Sequence, residues 1–132
     1  LGMPLPNNLK QLSDKKLGKK TGEGFYQYKG NKPVKNKRAS YSNPQEVQDR
    51  LVMRLLNEAT ACLREGIVED KDLIDAGVIF GTGFAPFRGG PLEYIRSGDI
   101  DRLAQTMSQL QSKFGERFTK DTGWDFLQTD KN

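Results

Sequence analysis

Three stretches of this sequence hold residue types that do chemistry in other proteins. The first is GTGFAPFRGGPLEY, residues 81–94, where Gly81, Gly83, Gly89 and Gly90 surround Arg88. A glycine turn near a cation can cradle a phosphate, because backbone N–H groups approach the oxygens while the cation balances their charge. The pattern here departs from the established phosphate loops. A dinucleotide fingerprint wants a third glycine where Pro86 stands, and a strand ahead of it where this chain reads as helix. A Walker loop wants Gly-Lys-Ser/Thr, which the sequence lacks. The reading adopted is an inter-helix turn: glycine and proline shape the backbone, Phe84 and Phe87 plug into the core, and Arg88 remains a candidate contact to substrate or another domain.

The second stretch is basic. Residues 1–38 hold Lys10, Lys15, Lys16, Lys19, Lys20, Lys29, Lys32, Lys35, Lys37 and Arg38 against only Asp14 and Glu23. The remainder of the chain is net acidic, so the overall charge of +4 conceals a one-sided distribution. Such a run attracts phosphates, and Tyr26 and Tyr28 are able to stack on bases. No nucleic-acid module accompanies it, and a solvated linker is the plainer account. Nucleic acid is not expected as a partner. Lys19 and Lys20 are kept as contact candidates, and an interaction module for an acidic or phosphate-bearing partner is the alternative function.

The third is Asn57-Glu58 in LLNEATACLREG. A polar pair beside an apolar stripe more often bonds neighbouring backbone than a ligand. The chain has no histidine, which excludes Ser–His and Cys–His hydrolysis and histidine-ligated zinc. The one cysteine, Cys62, forms no internal disulfide and reads as a small buried hydrophobe. No metal site and no catalytic residue is expected in this chain.

These candidates need elements to hold them. The length, 132 residues, suits one domain with a modest core. No apolar run approaches a membrane span and no signal peptide opens the chain, so a soluble protein is expected. The start at Leu1 suggests a piece of something longer. Residues 5–17 suggest a short helix through Leu5, Leu9, Leu12 and Leu17. Gly18, Gly22 and Gly24 punctuate a turn before the extended FYQY, and residues 29–42 read as a basic linker. The clearest helix covers about 44–65, with Asn43 as N-cap, Pro44 in the first turn, Glu46 completing a capping box and Gly66 ending it. Its apolar stripe reads Val47, Leu51, Leu55, Ala59 and Cys62/Leu63, widened by Val52 and Leu56. A shorter helix follows Asp70 or Asp72. Pro91 opens a helical turn, and a long helix from near Asp99 carries Ile100, Leu103, Met107, Leu110 and Phe114 on one face. Trp124, Phe126 and Leu127 are expected to dock the end of the chain, with 128–132 as a frayed tail. The expected class is all-α, about four main helices behind a basic amino-terminal segment.

KKLGKKTGEGFYQYKG, RLVMRLLNEATACLREGIV and GTGFAPFRGGPLEYI, in that order, resemble the carboxy-terminal region of long-form 3-hydroxyacyl-CoA dehydrogenases. These are the multifunctional α subunits of bacterial fatty-acid oxidation complexes and their peroxisomal relatives. The resemblance covers roughly residues 15–118. It implies that 1–28 end a first helical repeat and 43–127 form a second, and that a Rossmann domain and an enoyl-CoA hydratase domain lie upstream. It implies an acyl-CoA substrate and NAD bound by the parent, with no cofactor held here. The proton-accepting His–Glu pair would belong to the Rossmann domain. The first repeat contributes an active-site Asn; the matching position here is Asp49, so that role does not carry over. The resemblance makes this chain a non-catalytic brace for the first repeat, in the manner of a dimer partner. It implies a thiolase subunit and self-association as further partnerships. The implied location is the cytoplasm of a bacterium, or the peroxisome of a eukaryote.

Overall fold

The computed structural model describes residues 7–12, 15–34 and 42–128. The chain divides into two compact units, Leu1–Ser42 and Asn43–Asn132. Lys35, Lys37 and Arg38 of the basic stretch, Leu5, and the end of the chain from 129 lie outside the described residues.

The first unit contains the short helix α1, Asn7–Gln11, and a hairpin of β1, Gln27–Lys29, with β2, Lys32–Val34. The strands pair antiparallel, Gln27 opposite Val34 and Lys29 opposite Lys32. The linker reading over 29–42 is therefore corrected at its start: residues 29–34 belong to a hairpin. Lysines hide that strand from an apolar-period search, because its pairing is carried by the backbone. Between α1 and β1 the chain closes a tight turn. Gly18 N–H donates to the Glu23 carbonyl at 2.9 Å, and Tyr28 N–H to the Gly22 carbonyl at 2.8 Å. The Thr21 hydroxyl accepts from Leu17 N–H at 2.9 Å and donates to the Glu23 carbonyl at 3.0 Å. Gly24 crosses over Gly18 so closely that a Cβ would stand 2.6 Å from the Gly18 Cα. That crossing requires glycine at 24, which explains the spacing in KKLGKKTGEGFYQY.

The second unit is all-helical: α2, Pro44–Arg64; α3, Lys71–Thr82; α4, Pro91–Ser97; α5, Ile100–Phe114; and the short α6, Asp125–Gln128. The all-α class holds, the hairpin being the one sheet among the described residues. The helix starts follow their capping chemistry. Asn43 Oδ1 accepts from Glu46 N–H at 3.1 Å, Asp70 from Asp72 and Leu73, and Asp99 from Arg102. The capping box on α2 is only half formed, because the Glu46 carboxylate bonds Lys113 Nζ at 2.6 Å.

The core gathers Met53, Leu56, Ala59, Ile74, Leu92, Ile95, Met107, Leu110, Trp124 and Leu127. Full burial of a side chain such as Leu56 or Met107 stabilises by about 1.5–3 kcal/mol. The α5 stripe packs as expected. The α2 stripe packs in part: Leu56 and Ala59 are buried and Val52 and Leu63 pack against the core, but Leu51 is 70% exposed, and the buried face also takes in Met53, Asn57 and Thr60. The helix is turned away from its purely apolar stripe because two of its polar residues find hydrogen bonds inside. Two further apolar expectations fail. Phe87 is 84% exposed and does not plug the core; Phe84 does turn inward, edge-on to Tyr94 at 6.4 Å. Trp124 and Leu127 dock as expected, whereas Phe126 stays half-exposed.

Arg64 on α2 holds the segment before Trp124 through Asp121, Nε to Oδ1 at 2.9 Å. The guanidinium, aided by Gly123 N–H, keeps the Asp121 carboxyl below the ordinary carboxylate range. The stabilising contribution of Asp121 is therefore present above its unfolded value, about 4, and is lost as pH falls through the lower folded value. Arg64→Gln should lower stability at neutral pH and flatten the acid limb of the stability curve. Urea unfolding at neutral pH and below about pH 4 checks this. An unchanged acid limb would show that the pair contributes nothing.

Candidate functional site

The sequence candidates fall at separate places. Asn57 is buried, and each of its side-chain polar atoms is used. Oδ1 accepts from Asp121 N–H at 2.8 Å and Trp124 Nε1 at 3.0 Å, while Nδ2 donates to the Thr119 carbonyl at 3.0 Å. It is a hub tying α2 to residues 119–124. Glu58, one residue on, points outward and pairs with Arg54 at 3.1 Å. Lys19 and Lys20 form an exposed 3₁₀ turn in the first unit. Cys62 is half-buried, and burial followed by the charges of Glu58 and Glu65 pushes its thiol pKa upward. That keeps the sulfur protonated and unreactive.

The glycine loop carries the remaining candidates. Gly81 and Thr82 are the last residues of α3, so helix and not strand precedes the loop. That geometry gives no strand-to-helix turn for a pyrophosphate, and the residues present do not fit a dinucleotide. A short 3₁₀ turn, Pro86–Arg88, leads to Gly89 and Gly90 and then into α4. The loop is anchored by Asp75 of α3, a residue the sequence reading missed. Its carboxylate accepts from Leu92 N–H at 2.7 Å and Glu93 N–H at 2.9 Å, capping α4 from a neighbouring helix. Gly90 has φ +103°, and a Cβ there would lie 2.3 Å from the Asp75 Cβ. The glycines let the chain pass over Asp75. The available signal was an aspartate inside the apolar run LIDAGVIF.

Asp75 and Asp121 carry opposite signs. Desolvation raises the Asp75 pKa against the pull of its two backbone donors. Its contribution to stability therefore weakens as pH rises from the unfolded toward the folded value, the reverse of Asp121.

Beyond the anchored loop, Arg88 stacks on Phe87 and Tyr94, its guanidinium carbon 5.5 and 5.4 Å from their ring centroids. It stands at the edge of an open cleft of about 400 Å³ between the first turns of α2, the end of α4 and the first half of α5. Asp49 lines the same cleft. Asn57 and Glu58 do not. No group of three or more Cys, Asp or Glu that would hold a metal is gathered among the described residues, and none of their helices is long and apolar enough to cross a membrane.

The described residues thus form a helical unit with a helix-capping glycine loop, preceded in the chain by a glycine-stitched hairpin. Its relatives place it. The chain is 38% identical to the fatty acid oxidation complex subunit alpha of Vibrio cholerae serotype O1, over 81% of this chain and 16% of that protein. It is 40% identical to the subunits of the same name from Shewanella sp. strain MR-4, over 83% and 18%, and Aliivibrio fischeri, over 81% and 17%. The chain is thus a homologue of one part of the fatty acid oxidation complex α subunit, spanning about a sixth of the length of the relatives it matches. No family model matches it. No solved structure matches it.

Proposed function

We propose that this chain is the carboxy-terminal helical part of a multifunctional β-oxidation enzyme, and that it braces the catalytic helical repeat without taking part in chemistry. The longer polypeptide would oxidise 3-hydroxyacyl-CoA to 3-oxoacyl-CoA with NAD and hydrate enoyl-CoA in another domain. NAD and the acyl-CoA would be held by the upstream Rossmann domain and first repeat. The cytoplasm of a bacterium is the corresponding location, and a thiolase subunit the corresponding partner.

The observation that carries this reading is how the conspicuous polar residues are employed. Asn57, Asp75 and Asp121 each serve helix packing or capping, and none is left over for proton transfer. An unpartnered face supports the bracing role. Leu73 is 64% exposed and Phe80 is 89% exposed. They lie two helical turns apart on one side of α3, with Gly77 between them. Such an exposed apolar pair is the kind of surface that a packed neighbour covers.

The test is a 3-hydroxyacyl-CoA oxidation assay, read as NADH formation. It uses the upstream Rossmann-plus-first-repeat portion with and without this chain added in trans. Restored activity or a raised melting temperature is expected on addition. An upstream portion already fully active and unchanged by the chain would remove the bracing role, and dehydrogenase activity in the chain alone would remove the non-catalytic reading.

A further inference from the structure

The cleft beside the glycine loop is built in a way that packing does not explain. Its lining is mostly polar and includes two arginines, Arg88 and Arg102, with Val52, Met53 and Leu103 as its aliphatic part. Three other arginines of this unit pair with acids, Arg54 with Glu58, Arg64 with Asp121 and Arg96 with Glu93, while Arg50 lies over the Phe114 ring. The Arg88 and Arg102 guanidinium groups have no acid or carbonyl partner among the described residues. The two acids in the cleft bond neutral donors and not the guanidinium groups. Asp49 Oδ1 accepts from Gln45 Nε2 at 2.7 Å, and Asp99 Oδ1 from Arg102 N–H at 3.1 Å.

Arg88 is also preorganised. Its guanidinium carbon lies over two aromatic rings, at 5.5 and 5.4 Å from their centroids, and its loop leads into α4, whose first amides Asp75 holds. A stacked guanidinium keeps its N–H donors in a fixed fork and loses little entropy when an oxyanion arrives. The first turns of α2 and α5 both border the cleft and add partial positive charge.

The geometry points to a binding site for a small amphipathic oxyanion, with its carboxylate or phosphate between Arg88 and Arg102 and its apolar body on Val52, Met53 and Leu103. The site is independent of the bracing role, since it lies on loop and helix-end residues and not on the exposed Leu73–Phe80 face of α3. The cleft volume of about 400 Å³ suits a molecule of modest size.

The probes are benzoate, its neutral isostere benzamide, and inorganic phosphate, titrated into the full chain while backbone amide NMR shifts are followed. Benzoate should bind saturably with a Kd on the order of millimolar, as a nine-heavy-atom ligand allows. The moving amides should be those of Tyr94, Ser97, Arg102 and Thr106. Arg88→Gln and Arg102→Gln, both at exposed positions, should each weaken it about tenfold, the loss of one charge-assisted hydrogen bond. Benzamide and phosphate should each bind about tenfold more weakly, lacking the charge and the apolar body respectively. No saturation by roughly 50 mM benzoate would overturn the site. Equal binding of benzamide, or full affinity in the double arginine variant, would overturn the oxyanion contact. Phosphate binding as tightly as benzoate would overturn the amphipathic class.

Discussion

Asn57→Ala is expected to lower the stability of the helical unit by about 3–5 kcal/mol, the largest effect of any polar substitution in the chain. The side chain serves three partners at once, and alanine serves none. Trp124 is wholly buried, so its indole N–H would be left without an acceptor in an apolar setting. A buried donor stranded in this way costs about 1–3 kcal/mol, and Asp121 N–H and the Thr119 carbonyl add their own smaller losses. The change also loosens Arg64–Asp121, because both hold the same segment to α2. Trp124 is the sole tryptophan, so its fluorescence reports the event directly. Urea unfolding should show a lower midpoint, with native emission shifted to the red as water reaches the indole. A loss below about 1 kcal/mol would mean that residues 119–124 are held by apolar contacts alone, and that Asn57 is incidental.

That hub marks the limit of what apolar periodicity reveals. The starts of α2, α3 and α5 were legible because capping is local chemistry: Asn43, Asp70 and Asp99 each lie within three residues of the N–H they accept. The α5 face was legible because its buried residues are all apolar. The α2 face was legible only in part, through Leu56 and Ala59, because the side chosen for burial also includes Asn57 and Thr60. Thr60 donates to the Asn57 carbonyl at 2.8 Å, and Asn57 reaches more than sixty residues ahead. Sequence spacing within one helix cannot announce a partner that far away. Leu51, which completes the purely apolar stripe, is left outside. The hairpin escaped for a different reason: β2 is Lys32-Pro33-Val34, with no alternation to find, and its pairing comes from the tight turn. Of the cleft, Arg88 and Asp49 were visible as motif positions. Arg102 was not, since it reads as an ordinary polar residue on an amphipathic helix.

The exposed aromatics connect fold to proposed role. Phe80 and Phe87 flank the loop and both stay outside, Phe87 against expectation. Phe84, between them, is the one that turns inward to meet Tyr94. The loop thus divides its aromatics between the core and the surface, and its glycines supply the sharp path that permits this.

Gly90→Ala should be the second most damaging change, costing at least about 3 kcal/mol. Two effects act together. The backbone at 90 is in the positive-φ region. A Cβ in that region costs about 1–2 kcal/mol. The new methyl would also stand within 2.3–2.6 Å of the Asp75 side chain and push the carboxylate off the α4 amides. Asp75→Ala reaches the same end from the other side. It strands Leu92 N–H, which is buried. That loss should cost about 2–4 kcal/mol. Because both substitutions break one clamp, their effects should not add: the double variant should be no more than about 1 kcal/mol worse than the poorer single. Gly89→Ala separates the Asp75 clamp from the rest. Gly89 also has a positive φ, +77°, and a Cβ there would press on the Glu93 side chain, 2.5 Å from its Cγ, while leaving Asp75 untouched. Its cost should stay below that of Gly90→Ala, at about 1–2 kcal/mol of strain plus the shift of Glu93. Chemical unfolding of the four variants decides it. If Gly89→Ala and Gly90→Ala cost the same, or the double variant is additive, the loop's glycines serve only the turn and Asp75 does not clamp it. If the expected order holds, GTGFAPFRGGP is spelled by one buried carboxylate in the preceding helix, and the orientation of Arg88 depends on that carboxylate.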